Sequence, residues 1–356
     1  MLETPNPSGQ TLAPLTEQVT VIIVTYRSAE YIGACLDSVQ KQTLPPSEII
    51  VVDNSSGDGT PDLVRRRFPN VNILELNTNQ GYGGGVNAGC SIAATDFIAV
   101  FNPDVSLAPD VIEKMVATMQ AGGPKIGAVT ARIINHGVPQ EVKGGTLNLF
   151  GARVAEFFDD PSRVFYPSGA AFVFRRSVVN PPFDSDFFLY YEDVWLGCRL
   201  RCLGFEVVKA YEAQVDHFPQ GSVRHTSDIR ISFYQERNRL LAMLGFYSVG
   251  TLLKVAPVFC LDAAARALTA PWGGRSMAAI LFAHLHFVLS PRNFLVKRWK
   301  WRAGGETKDG ELLKFLSARW VPSESLWNRF LLRYCRTFDI PVAELQEPNE
   351  DGRAQS

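Results

Sequence analysis

The sequence has no CxxC pair and no cysteine–histidine spacing of a metal site. Its six cysteines, Cys35, Cys90, Cys198, Cys202, Cys260 and Cys335, are scattered. That excludes a zinc ribbon or a disulfide scaffold and suits reduced thiols in a cytoplasmic protein. Long apolar runs are also missing. The longest, residues 278–289, contains His284 and His286 and falls short of the roughly 18 residues a membrane span needs. The opening "MLETPNPSGQTLAPLTEQ" is polar and proline-bearing, unlike a signal peptide. No one sign of charge dominates: the formal net charge is -1, which offers no global field to nucleic acid, so any anion must be held locally. There are no internal repeats.

What is there is the composition of a soluble globular chain, 46% hydrophobic and 20% charged over 356 residues. Residues 1–18 and 346–356 read as a disordered leader and tail. Between them, short β-branched runs alternate with helical spacing. "VTVIIVT" (19–25) reads as a strand buried on both faces and "EIIVVD" (48–53) as a second buried strand, and "VNILEL" (71–76) and "DFIAVF" (96–101) read as further strands. Helices are predicted between them and from about Pro109 to Ala121. The pattern implies a parallel, doubly wound α/β sheet, in which ligands bind beyond the carboxyl ends of the strands. Thr25, Asp53, Asn79 and Asp104 lie at or just past those ends. Further on, "IGAVTARII", "AAFVFR" and "FEVVKAY" read as strands, "EDVWLGCRLRCLG" as a helix closed by Gly204, and 226–246 as a helix capped by Thr226 or Ser227.

Each candidate site has a plain reading and a chemical one. Asp53 in "VVDNSSGDGT" is either a turn acid bonded to its own loop or a carboxylate reaching a ligand. "NQGYGGGVNAG" (79–89) is either a flexible hairpin or a glycine-rich helix entry that lets phosphate or ribose approach the backbone. It fits neither GxxxxGK[ST] nor a GxGxxG placed directly after a strand. In "FNPD" (101–104), proline ends the ladder and fixes Asp104, a carboxylate suited to a divalent ion that also binds substrate phosphates. Glu192 and Asp193 are favourable charges at a helix start or a general-base pair. His217 and His225 are structural or ligating, and Arg237 is a phosphate contact or a solvated cation.

The order of these motifs decides more than any one of them. "VTYRS", "VVDNSSGDGT", "NQGYGGGVNAG", "FNPD", "SGAAFVFRR" and "YYEDVWLGCRLRCLG" together resemble the family-2 glycosyltransferases with the GT-A fold. More narrowly, they look like the rhamnosyltransferase-type branch that builds bacterial cell-surface polysaccharides. The resemblance covers residues 19–245, leaving 246–345 as a mainly helical C-terminal region. It implies that Thr25, Tyr26 and Glu30 hold a nucleoside and that Asp53 bonds the pyrimidine of a dTDP- or UDP-sugar. Asn79, Gly81 and Asn87 would lie beside ribose and sugar, and Arg237 near the diphosphate. Asn102 and Asp104 occupy the DXD motif, where Mg2+ or Mn2+ would bind, completed by His217. The motif's leading acid is an amide here, which keeps an oxygen and loses a charge. Gly169 and Ala170 would line the acceptor pocket, and Trp195 stands on that side where relatives often carry an acid.

The resemblance further implies an inverting transfer to a glycan or lipid-linked acceptor, with Asp193 as base beside Glu192. Two other classes stand beside it: a catalytically silent nucleotide-sugar or glycan-binding module, and a nucleotidyltransferase. "RNFLVKRWKWR" (292–302), basic and aromatic, reads either as a membrane-surface stretch on the inner face of the plasma membrane or as a packing or homodimer contact.

Overall fold

The computed structural model describes residues 18–136, 146–152, 163–218, 228–269, 276–289, 291–303, 305, 309–318 and 326–342. The predicted leader before Gln18, the tail, His225 and the predicted caps Thr226 and Ser227 lie outside the described residues. The first half runs β1 (Val19–Thr25), α1 (Ile32–Gln40), β2 (Glu48–Asp53), α2 (Thr60–Arg67), β3 (Asn72–Glu75), α3 (Gly81–Ile92), β4 (Phe97–Phe101), β5 (Val105–Leu107) and α4 (Val111–Ala121).

The pleat of β1 sets the layers. Val19, Val21 and Ile23 enter one apolar cluster with residues of α1, α2 and α4, whereas Ile22 and Val24 enter another with residues of α3. A strand apolar on both faces is buried only with helices on either side. β1 accordingly pairs in parallel with both β2 and β4, and β3 adds to β2. Three strand ends, Thr25, Asp53 and Phe101, thus come together at one edge of the sheet.

Two local expectations need correction. The glycine run was read as the entry to a helix; it forms the first half of α3 itself. The bare face lets α3 sit close on the sheet. A Cβ on Gly85 would stand 2.6 Å from Val24 Cγ1, and one on Gly89 2.8 Å from Ile22 Cγ2. Packing against β1 outweighs the helix-propensity loss of about 1 kcal/mol per glycine. The second correction is β5, three residues directly after "FNPD", too short to show a period. It delays the helix expected from Pro109 until Val111.

The second half adds β6 (Ile126–Asn135), β7 (Leu147–Asn148), β8 (Arg163–Val164), β9 (Ala171–Arg175), α5 (Glu192–Cys202), β10 (Glu206–His217) and α6 (Asp228–Phe246). It ends in α7 (Val249–Thr269), α8 (Met277–Leu289), α9 (Pro291–Arg302), α10 (Asp309–Leu313), β11 (Leu316–Ser317) and α11 (Leu326–Thr337). Among the described residues the sheet has nine strands, in the order β3-β2-β1-β4-β9-β6-β10-β5 with β8 against β10. β9 runs antiparallel to β4 and β6, and β5 antiparallel to β10. The architecture is the α/β class expected, with C-terminal helices. A third apolar cluster joins α5 to that helical region through Trp195, Phe246, Trp301, Leu313 and Leu331.

Candidate active site

The register of β1 and β2 sets Thr25 opposite Asp53, and the Thr25 hydroxyl donates to Asp53 Oδ1 at 3.0 Å. Ser56 donates its backbone N–H to Oδ2 at 3.0 Å and its hydroxyl to Oδ1. The buried carboxylate is therefore both a turn acid and a fixed acceptor at the sheet edge. The loop after β1, bearing half-buried Tyr26 and exposed Glu30, is laced to the loop after β2: Arg27 N–H donates to Ser56 Oγ at 3.0 Å and Ser28 N–H to Thr60 Oγ1 at 3.2 Å. Asn79 Oδ1 accepts the Gly81 N–H at 2.8 Å and so caps α3. Asn54, which no sequence pattern singled out, braces the same point, accepting from Gln80 N–H at 2.9 Å and donating to Gly81 O at 2.7 Å.

"FNPD" closes β4 and opens β5. Asn102 N–H donates to Ala170 O at 2.9 Å, and its carbonyl accepts from the Cys35 thiol. Burial first, then the nearby Asp104 charge, raise the Cys35 pKa well above the ordinary thiol value, so Cys35 stays a neutral donor. The β5–β10 pairing sets His217 opposite Val105, and His217 Nε2 lies 3.5 Å from Asp104 Oδ1. His217 Nδ1 faces Asn135 Oδ1 at 3.2 Å. The His217 ring is thus held between Asn135 on one side and Asp104 on the other.

Two such donors 3.5 Å apart match neighbouring ligands each about 2.1 Å from one divalent ion. Among the described residues no group of three His, Cys, Asp or Glu gathers around one point. A hard ion that takes its remaining oxygens from a diphosphate needs no more. The Asp104–His217 pair therefore fits Mg2+ or Mn2+, with Asn102 two residues before Asp104 at the end of β4.

On the other side of this edge lies the acid pair. Glu192 and Asp193 are both buried in the first turn of α5, and a Cβ added at Gly169 would stand 3.8 Å from Asp193 Oδ2 and 3.9 Å from Glu192 Oε1. Gly169 is the open floor beneath both carboxylates. The Tyr82 hydroxyl, from α3, donates to Gly169 O. Burial, then the charges of Glu192, Asp193 and Asp104, hold the Tyr82 phenol well above its ordinary pKa. The phenol thus feels the charge of all three acids while its hydrogen bond goes to Gly169 O. Sequence reasoning missed Tyr82; its only local signal is an aromatic inside a glycine run.

Three predicted contact residues are engaged elsewhere. Asn87, expected beside the ribose, donates to Phe183 O at 2.8 Å and accepts from Phe183 N–H at 3.2 Å, because its place on α3 faces the 183–188 segment. Trp195, expected on the acceptor side, is buried among Phe187, Phe246 and Trp301. Arg237, expected near a diphosphate, donates to Asp186 O and Asn238 Oδ1, both at 2.9 Å. Gly81, with φ +76°, is required by close approach, since a Cβ would stand 2.0 Å from Phe188 O.

Residues 20–181 match the family described as "Glycosyl transferase family 2". The chain carries a family 2 glycosyltransferase domain. The match takes in every candidate from Thr25 to Ala170 and ends before the acid pair, His217 and Arg237. Among related proteins, an "N-acetylglucosaminyl-diphospho-decaprenol L-rhamnosyltransferase" of Mycobacterium tuberculosis is 29% identical over 57% of this chain and 76% of its own length. "Succinoglycan biosynthesis protein ExoO" of Rhizobium meliloti is 27% identical over 58% of this chain and 62% of its own. Among solved structures, the mannosyltransferase PcManGT from Pyrobaculum calidifontis, in complex with GDP-Man and Mn2+, superposes with a TM-score of 0.50 at 20% identity, covering 84% of this chain and 89% of that one. GalNAc-T7 with UDP, GalNAc and Mn2+ gives 0.54 at 14% identity over 67% of this chain and about half, 49%, of that one. These likenesses show the GT-A fold. The glycosyltransferase domain supplies the sheet edge on which the site is built.

Proposed function

We propose that this glycosyltransferase moves a sugar, rhamnose in the first instance, from a dTDP- or UDP-sugar to a hydroxyl of a glycan or lipid-linked saccharide in cell-surface polysaccharide synthesis. The observation that carries it is the convergence, at one sheet edge, of Asp53, the Asp104–His217 pair and the Glu192–Asp193 pair around Gly169. The printed names of the related proteins support the sugar and the acceptor class.

In this reading Asp53, held by Thr25 and Ser56, accepts from the pyrimidine N–H, and Asn102, Asp104 and His217 would hold the ion. When bound, a divalent ion neutralises the diphosphate and stabilises charge on the leaving group. Asp193 takes the proton from the acceptor hydroxyl, whose oxygen bonds to the anomeric carbon as the carbon–oxygen bond to the diphosphate breaks. Attack from the opposite face inverts the centre, and Glu192 orients the acceptor. Tyr82, kept protonated, holds the Gly169 carbonyl and hence the floor of the pocket.

A lipid-linked acceptor gives a use to one further surface. α8 and α9 both pack on α6 and touch each other. Their outer sides expose Phe282, Leu285, Leu289, Leu295, Val296 and Trp299, the last 74% exposed. A contiguous apolar face of this kind rarely stays bare on a soluble protein. This face carries Lys300 and no carboxylate, and the proposal seats it on the surface of an anionic bilayer, cytoplasmic side. Among the described residues no helix is long and apolar enough to cross a membrane.

Titration calorimetry with dTDP and with UDP, each with Mg2+, Mn2+ or EDTA, tests the donor site. Metal-dependent binding of one nucleotide, lost in Asp104→Ala, is expected; no binding of either under any condition overturns the reading. In transfer assays Asp193→Asn should abolish turnover while keeping nucleotide affinity. Loss in Glu192→Gln alone would move the base to Glu192.

A further inference from the structure

The acid pair is aimed by a costly turn. Tyr190 and Tyr191, which lead into α5, both adopt left-handed backbone, at φ 68° and 67°. Neither residue is a glycine, and two such residues in succession persist only where the surroundings hold them. The holder is on α6. Asn238, fully buried, donates through Nδ2 to Leu189 O at 2.9 Å and to Tyr190 O at 2.8 Å. Its own Oδ1 is occupied by Arg237 Nη1, and Arg237 also binds Asp186 O. Directly through Nδ2, and through Arg237 at Oδ1, Asn238 is thus committed to residues 186–190.

The stretch 183–191, which contains that segment, is held from three sides. At its near end Phe183 is clasped by Asn87, and Phe188 O accepts the Tyr82 N–H at 2.9 Å, so α3 holds one side. At its outer side Trp301 Nε1 donates to Asp184 Oδ2 at 2.7 Å and Lys297 lies 3.1 Å from Asp184 Oδ1. At its far end the left-handed pair turns the chain into α5, so that Glu192 and Asp193 face Gly169. We infer that Asn238 is a positioning residue: through the Leu189 and Tyr190 carbonyls it holds the left-handed turn that aims the Glu192–Asp193 pair at the acceptor hydroxyl. The inference rests on the reading of that pair as the acceptor-side machinery and adds to it the element that sets its geometry. Within α5, Asp193 Oδ1 accepts the Val194 N–H at 2.8 Å, and the turn before the helix sets where that first turn sits relative to Gly169.

The test uses the full chain with Asn238→Asp, which keeps the size of the side chain and sets a carboxylate against two carbonyls. Turnover should fall at least tenfold, with nucleotide Kd within twofold of the parent, because the donor loops belong to other strands. The acid limb of the pH–rate profile should move, since a displaced carboxylate pair titrates differently. A residue that merely supported the fold would lower the melting temperature and leave that limb in place. Asn238→Ser, smaller and retaining one donor, should show the same pattern to a lesser degree and serves if the aspartate variant folds poorly. Unchanged turnover and pH profile in both variants overturn the inference, as does a fall in turnover with an unmoved pH profile. Asp193→Asn in the same assay separates the two ideas: if it stays active, the base assignment fails; if it is dead while Asn238→Asp is normal, only the positioning role fails.

Discussion

Gly85 carries its importance in what it lacks. Its missing Cβ would stand 2.6 Å from Val24 Cγ1 and 3.1 Å from Val24 Cγ2, inside the contact between α3 and β1. Gly85→Ala should destabilise the chain by about 1–3 kcal/mol, the usual cost of overpacking, measured by urea unfolding. Val24→Ala in the same chain should restore part of the loss, because the two changes share one contact and do not add. Equal loss in the presence and absence of Val24→Ala would contradict this account of the glycine run. The run was visible in the sequence, but its meaning was not. Glycine clusters look alike whether they face a ligand or a neighbouring strand, and only the partner at 2.6 Å distinguishes them.

α9 shows the same ambiguity at the next scale. Its cations read as an electrostatic contact with lipid, yet Arg298 and Arg302 donate to Leu244 O, Phe246 O and Tyr247 O, the carbonyls that close α6. A helix end leaves such carbonyls without intrahelical donors, and arginine is well suited to satisfy them. Lys297 is drawn to Asp184 and Asp186, and Trp301 is buried beside Trp195. Membrane contact, if made, belongs to the apolar outer row. Phe282→Ser with Trp299→Ser should lower co-sedimentation with phosphatidylglycerol-containing vesicles several-fold against the parent chain. Equal sedimentation of both, or a parent that self-associates by light scattering and leaves vesicles alone, would put a second copy on that face instead.

For the whole molecule, packing crosses residue 245, the end of the predicted glycosyltransferase domain. Arg239, entirely buried, pairs with Glu236 and, at 3.2 Å, with Asp262 of α7. Burial raises the Glu236 carboxyl, but the Arg239 charge and hydrogen bond prevail and hold it below its ordinary pKa. Removing one partner from such a buried set costs about 3–5 kcal/mol. A chain ended at residue 245 also loses Phe246, Trp301 and Leu331 from the cluster around Trp195. It should show no cooperative thermal transition by circular dichroism. A sharp transition together with nucleotide binding at the parent's affinity would make residues 19–245 an independent domain after all.

The sequence by itself determined the layers and the sheet edge. Short β-branched runs with polar ends, alternating with helical spacing, mark parallel strands between helices, and so Thr25, Asp53 and Asp104 were legible as a set. The order of motifs further carried the family. What only the tertiary structure decided are the long-range pairings: His217 against Asp104, Tyr82 on the Gly169 carbonyl, Asn238 beneath the turn at Tyr190. Each joins residues dozens to more than a hundred positions apart, and neither periodicity nor local propensity carries information across that span. Their hydrogen-bond partners are set by which strand lies beside which, a choice made when the core packs.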